Sequence, residues 1–277
     1  MLNTLNTRIH EEIDYIINLD IIGRKNRRLY MEARKDEPLC YRAANLILKN
    51  VEKGSNVIIA TGFILPEGVE TDGLNGAVAM ARCFDEMGAK AFIFAENKVT
   101  KILKKMDAKL NFISIDEIEE KIEEATMAIA IERPGMGKDG CHHDMHGNVI
   151  DAANLDFIFE NVASIGIGDG GNEIGMGKIF HAIPEEIASI TKADEIVVAG
   201  VSNWGAYGII ASLSIMLGKN YCHNGKEEAK LIKKCVDAGA IDGITRKKEY
   251  GVDGLPSKVH ESIADLLYNI VEFSISI

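Results

Sequence analysis

The densest run of chemistry-bearing residues in this chain of 277 is Gly166-Ile167-Gly168-Asp169-Gly170-Gly171-Asn172-Glu173-Ile174-Gly175-Met176-Gly177. Six glycines in twelve residues let a backbone approach a ligand closely and take up positive φ. Asp169, Asn172 and Glu173 are the side chains such a loop would hold. Gly166, Gly168 and Gly171 formally match GxGxxG. However, Asp169 falls where a pyrophosphate would pass, and Gly175 and Gly177 weaken the helix that should bind it. No nucleotide cofactor is expected. The plainer reading, a tight turn with Asp169 capping a helix, stays open.

Three more segments carry reactive side chains. Thr61, Gly62, Glu70, Thr71 and Asp72 lie within 61–73; Asp72 could cap a helix starting near Gly73, whereas Glu70 has no capping role to explain it. Glu132 and Arg133 set a carboxylate beside a guanidinium, which could pair with each other or with other charges. Asn203 could cap a helix beginning at Trp204, and Trp204 reads either as core or as ligand wall. Carboxylates in this number suit acid–base catalysis. They also suit a hard divalent cation, Mg²⁺ or Mn²⁺, because converging acids without matching lysines repel one another. Asp169 and Glu173, four residues apart, are the first choice of ligands; Arg133 and a substrate amine are the alternative source of positive charge. Cys141-His142-His143-Asp144-Met145-His146 looks metal-binding by composition. Adjacent histidines on a loop rarely converge on one ion, though, and no second cluster completes a zinc set. One histidine as cavity wall or proton carrier stays open.

Each segment needs an element to present it. Short apolar runs with strand character cover 56–60, 90–95, 111–115, 126–131, 163–168 and 195–200. Helical periodicity covers 38–53, 72–87, 97–107, 116–124, 154–162, 203–217, 225–238 and 256–272. The alternation predicts an α/β fold, a three-layer Rossmann-like and mostly parallel sheet with helices on both faces. Ligands of such sheets bind at the carboxyl ends of the strands, where all four enriched segments fall. Shared placement on one rim predicts one pocket. An N-terminal helical segment, residues 1–35 with Leu2, Leu5, Ile9, Ile13, Ile16 and Ile17 at helical spacing, precedes a domain over 36–277. The basic run Arg24, Lys25, Arg27, Arg28 reads as a solvated helix end or linker. The final Ser-Ile-Ser-Ile reads as a frayed end or an edge strand.

Apolar residues at 47% and charged residues at 26% exclude disorder, collagen and coiled coil as the main state. A net charge of −11 disfavours nucleic-acid or anionic-membrane partners. No apolar run is long enough to span a bilayer. The first residues carry acids where a signal peptide needs an apolar stretch. Five cysteines without CxxC suit free thiols, so a cytoplasmic protein is expected. The expected partner is a small molecule, with a homo-oligomer permitted.

Taken together, several motifs resemble the C-terminal domain family of D-glutamate cyclase. They are Thr61-Gly62-Phe63, Glu70-Thr71-Asp72-Gly73, Glu132-Arg133-Pro134-Gly135, Asp139-Gly140, the block Gly166–Gly177, Ser202-Asn203-Trp204-Gly205-Ala206-Tyr207-Gly208 and Val252-Asp253-Gly254-Leu255-Pro256. The resemblance covers nearly the whole chain after residue 35. It implies a carbon–oxygen lyase that turns D-glutamate, or a related amino dicarboxylic acid, into 5-oxo-D-proline and water. It implies catalytic roles for Glu70, Glu132, Asp169 and Arg133. It implies substrate contacts from Thr61, Gly62, Asp72, Gly170, Gly171, Asn172, Asn203 and Trp204, with backbone N–H groups of the glycines as oxyanion donors. The rival readings are a metal-dependent hydrolase or ring-opening enzyme acting on a related lactam, and a non-enzymatic module that binds an amino acid or nucleotide. Converging carboxylates favour catalysis.

Overall fold

Runs rich in Ile, Val and Ala form the strands, because β-branched side chains pack well on a pleated surface. The computed structural model describes residues 2–24 and 26–277, with side chains from residue 8 onward; the side chains of Leu2 and Leu5, and all of Lys25, lie outside the described residues. The strands in chain order are β1 Asn56–Thr61, β2 Ile64–Leu65, β3 Gly68–Val69, β4 Lys90–Phe94, β5 Asn111–Phe112, β6 Ala125–Ile131, β7 His142–His143, β8 Val149–Ile150, β9 Ala163–Gly168, β10 Glu195–Val198, β11 Gly251–Val252 and β12 Leu255–Pro256. The helices are α1 Leu2–Ile17, α2 Arg27–Ala33, α3 Leu39–Asn50, α4 Leu74–Met87, α5 Asn97–Met106, α6 Ile118–Glu124, α7 Ile158–Asn161, α8 Ser202–Leu217, α9 Gly225–Ala238 and α10 Ser257–Ile275.

Six strands make one parallel sheet in the order β10-β9-β6-β1-β4-β5. Numbered by their own succession these read 6-5-4-1-2-3, the doubly wound Rossmann order seen from the far edge. Side chains alternate between two cores. Val57 and Ile59 of β1 and Met127, Ile129 and Ile131 of β6 enter the larger one. Ile58, Ala60, Ala128 and Ala130 enter the smaller, with Ile118 of α6 and Ile158 and Phe159 of α7. Apolar residues on both faces of each strand are what a sheet covered on both sides requires. Helix α8 is apolar around nearly its whole circumference because α1, α3, α4 and α10 all pack against it.

Several elements differ from the sequence expectation. The strand expected over 111–115 is only Asn111–Phe112, pairing at the sheet edge. The helix expected over 154–162 shrinks to Ile158–Asn161. The C-terminal tail is no edge strand, since α10 runs through Ile275. Strand β10 stops at Val198, which frees the Gly200 N–H to donate to Ile17 O at 2.7 Å. That bond, Asn18 Nδ2 on Val198 O at 2.9 Å, and Asp14 accepting the Leu39 and Cys40 N–H groups at 2.6 and 3.0 Å fix α1 against the sheet and α3. The basic run that follows is not a solvated end throughout. Arg27 and Arg28 are exposed, but Arg24 turns inward.

Candidate active site

The strand order reverses between β1 and β6, and a crevice opens beyond their carboxyl ends, where open α/β sheets bind ligands. Glu132 is the first residue after β6. It is buried with φ of 45°, a left-handed conformation costly for a bulky side chain and held only where surrounding structure dictates it. Its Oε2 accepts a 2.5 Å hydrogen bond from Ser202 Oγ. Gly73 makes room for it, since a Cβ at Gly73 would lie 2.6 Å from the Cβ of Glu132.

Asp72 reaches the same point after the β2–β3 hairpin. Its carboxylate does not cap the helix it precedes, whose N-cap is Gly73. It caps α8, accepting the N–H groups of Ser202 at 2.8 Å and Asn203 at 2.9 Å, as well as that of Gly73 at 2.9 Å. Asn203 answers reciprocally: its Oδ1 accepts the Gly76 N–H of α4 at 2.7 Å rather than capping its own helix. The two helix starts are thus locked together by exchanged caps.

Asp169 follows β9 and meets a guanidinium. Arg24 Nη2 donates to its Oδ1 at 2.9 Å, and Nη1 lies 2.6 Å from its Oδ2. The same Nη1 donates to Asp253 Oδ2 at 2.5 Å. Asp253 and Gly254, at φ of 51° and 71°, form the two-residue turn joining β11 to β12, a conformation that Asp-Gly favours. Asn172 secures the Asp169 loop to β7 by donating from Nδ2 to His143 O at 2.9 Å.

Glu70, Glu132, Asp169 and Asn172 therefore line one cavity of about 300 Å³, at the small end for ligand pockets. Other expected residues are not brought there. Glu173 is fully buried, and its two oxygens accept the N–H groups of Asp169, Gly170 and Gly171 at 2.9, 2.6 and 2.6 Å. That occupies the loop amides expected as oxyanion donors, and Glu173 is not in the acid cluster that could hold an ion with Asp169. The glycines of the block serve this inward fold: a Cβ on Gly168 would sit 2.5 Å from Glu173 Cδ. Arg133 points to the other side of β6, pairing with Glu96 at 2.6 Å and donating to Ala153 O at 2.6 Å. Thr61 Oγ1 donates to Ile131 O at 2.8 Å, while Gly62 and Asn203 lie outside the cavity wall. Trp204 is core, its Nε1–H on His260 Nδ1 at 2.9 Å. The histidine-rich segment forms the β7–β8 hairpin over the site. His142 and His143 face Asp156 and Asp139, while Asp144, Met145 and His146 line the cavity.

Arg24, Asp253 and Arg246 are cavity residues that sequence reasoning missed. Asp253 alone carried a signal, the Asp-Gly turn. A larger cleft of about 990 Å³ opens beyond β4 and β5, but it is lined by none of the converging acids.

Burial dominates the electrostatics. It pushes Glu132 well above the usual carboxylate range, and the nearby Asp169, Glu173 and Asp72 push it further. It raises Glu70 in the same way, helped by Asp253 and Asp72. Asp169 is also raised by burial, although Arg24 pulls it down. Asp72 is pushed up to about 8, by burial first and by Asp253 second. One oxygen each from Asp72, Glu132 and Asp169 lie within 4.8 Å of one another. These hard donors could hold a metal ion. Arg24 already supplies a positive charge to Asp169 beside that point.

The fold and site define a doubly wound α/β protein with an acidic, arginine-bridged centre at its switch point. A family described as "D-glutamate cyclase-like, C-terminal" matches residues 13–268, and the chain belongs to that family. Human "D-glutamate cyclase, mitochondrial" is 36% identical over 102 residues, which cover 32% of this chain and 17% of the human protein. No helix among the described residues is long and apolar enough to cross a membrane.

Proposed function

We propose that the protein closes D-glutamate, or a closely related amino dicarboxylic acid, into a lactam with loss of water; from D-glutamate the product is 5-oxo-D-proline. The charge layout of the cavity carries this reading: carboxyl groups at its floor with two guanidinium groups, Arg24 and Arg246, beside them. An amino dicarboxylate offers the complement, an ammonium for the acids and carboxylates for the arginines. Family membership and the name of the human relative support it.

In this reaction the α-nitrogen attacks the γ-carboxyl carbon. A C–N bond forms, a C–O bond breaks, and two protons of the ammonium leave with that oxygen as water. No oxidant or reductant is consumed. The protein's task is to move protons from nitrogen to oxygen over a short distance while stabilising the tetrahedral oxyanion. Glu132 and Asp169 are adjacent buried carboxyl groups able to accept from one atom and donate to the other. Glu70 completes the pocket for the ammonium. Arg24 faces the developing negative charge, the role first expected of Arg133. A Mg²⁺ or Mn²⁺ ion would be held by Asp72, Glu132 and Asp169 and would polarise the γ-carboxyl group.

The test is incubation with D-glutamate, L-glutamate, D-aspartate and 5-oxo-D-proline, followed by chiral mass spectrometry. The same series uses chelator-treated protein shown by elemental analysis to be metal-free, with Mg²⁺ or Mn²⁺ added back. D-glutamate should yield 5-oxo-D-proline, and Glu132→Gln should lower turnover about 100-fold or more. Full activity without metal removes the cation. Net opening of 5-oxo-D-proline, or binding without turnover, overturns the cyclisation.

A further inference from the structure

The two arginines of the cavity are not equivalent. Arg24 is spent on Asp169 and Asp253. Arg246 is not: its Nη1 is buried, and no hydrogen-bond partner reaches it. The nearest carboxylate oxygens, on Glu67 and Glu70, stand 3.8 and 4.0 Å away, beyond hydrogen-bond reach. The segment that delivers it is ordered. Asp242 Oδ1 accepts the N–H groups of Ile244 and Thr245 at 2.9 and 2.8 Å, and its Oδ2 accepts that of Gly254 at 2.7 Å. The Arg246 N–H donates to Asp242 O at 3.0 Å, and Arg246 itself holds a left-handed φ of 59°. A strained, pinned backbone thus presents to the cavity wall a guanidinium whose Nη1 has no hydrogen-bond partner and only two loosely placed carboxylates, Glu67 and Glu70, near it.

The cyclisation uses the amine and the γ-carboxylate of its substrate and leaves the α-carboxylate untouched. We infer that Arg246 anchors this unreacting carboxylate, so that the site selects small molecules with a free carboxylate beside the reacting nitrogen, in substrate and product alike. The identity of the group rests on the cyclisation reading; the contact rests on the open guanidinium. Arginine is suited to the task because its planar fork can meet both carboxylate oxygens. The contact is the same in ground and transition states, so it strengthens binding without speeding the chemical step.

The experiment compares wild type, Arg246→Met and Arg246→Lys. Calorimetry measures binding of 5-oxo-D-proline and of 2-pyrrolidinone, the same ring without the carboxylate. Wild type should prefer 5-oxo-D-proline by roughly ten- to hundredfold. Arg246→Met should lose that preference, and Arg246→Lys, which keeps the charge without the fork, should recover part of it. In turnover, Arg246→Met should raise KM for D-glutamate by roughly tenfold or more with kcat little changed. A wild type indifferent to the carboxylate overturns the anchor. So does an unchanged KM in Arg246→Met, which leaves the cyclisation intact. Loss of carboxylate preference in Arg246→Met, in a protein that never turns over D-glutamate, keeps the anchor and discards the cyclisation.

Discussion

Replacing Glu173 by Gln separates two roles that one carboxylate could hold. Its oxygens accept three backbone N–H groups, those of Asp169, Gly170 and Gly171. A glutamine amide has one accepting oxygen, and its NH₂ group must face at least one of these donors. The variant therefore loses a hydrogen bond to a carboxylate in a fully buried place, a loss of about 3 kcal/mol. For a chain of this size each kcal/mol moves Tm by about 2–4 °C, so the expected fall is roughly 6–12 °C. Glu132→Gln is the control. Its side chain accepts one hydrogen bond, from Ser202 Oγ, which an amide oxygen can also accept, and Gln removes a carboxyl group that burial disfavours as an anion, so its Tm should not fall. The assay is thermal unfolding of metal-free protein at neutral pH, paired with calorimetric titration of Mn²⁺. Were Glu173 a cation ligand, Glu173→Gln would leave the metal-free Tm intact and weaken Mn²⁺ binding. A metal-free Glu173→Gln protein that melts with the wild type refutes the reasoning.

The raised carboxyl groups give stability a definite pH slope. A folded state that holds protons more tightly than the unfolded chain is most stable below the ordinary carboxylate range, and it loses that stability as pH rises through the folded values. The window runs from about 4 for the unfolded chain up to the value of about 8 for Asp72, so metal-free Tm should fall across it, and less steeply in Glu132→Gln. Against burial, hydrogen bonds from Arg133 and His142 hold Glu96 and Asp156 below the usual range, and these act only at lower pH. A Tm that rises from weakly acid to weakly basic solution contradicts the assignment. Trp204→Phe should lower Tm by roughly 4–8 °C, from the lost hydrogen bond to His260 and a smaller core side chain, with KM for D-glutamate unchanged. A changed KM at an unchanged Tm would return Trp204 to the ligand wall.

The sheet and the rim of loops were legible because their signals are local. Apolar runs bounded by Gly, Asp and Asn specify buried strands, and alternation with helices specifies parallel pairing. Glu70, Glu132 and Asp169 could be gathered on one edge from those rules alone. Arg24 could not. A basic residue among basic neighbours is normally solvated, and its partners Asp169 and Asp253 lie 145 and 229 residues further on. Glu173 misled for a different, local reason: its spacing from Asp169 suggests a shared ion, whereas the glycines let it fold back onto the loop's own amides. For Trp204 a usable signal was present, since a helix apolar on every side belongs in the interior and takes its aromatic residue with it. Residue type and spacing thus identify which groups can do chemistry. Whether a carboxylate faces ligand or backbone depends on which donors reach it first. At this site backbone N–H groups claim Glu173 and Asp72 and an arginine claims Asp169, so Glu132 and Glu70 are the acids with the fewest prior commitments.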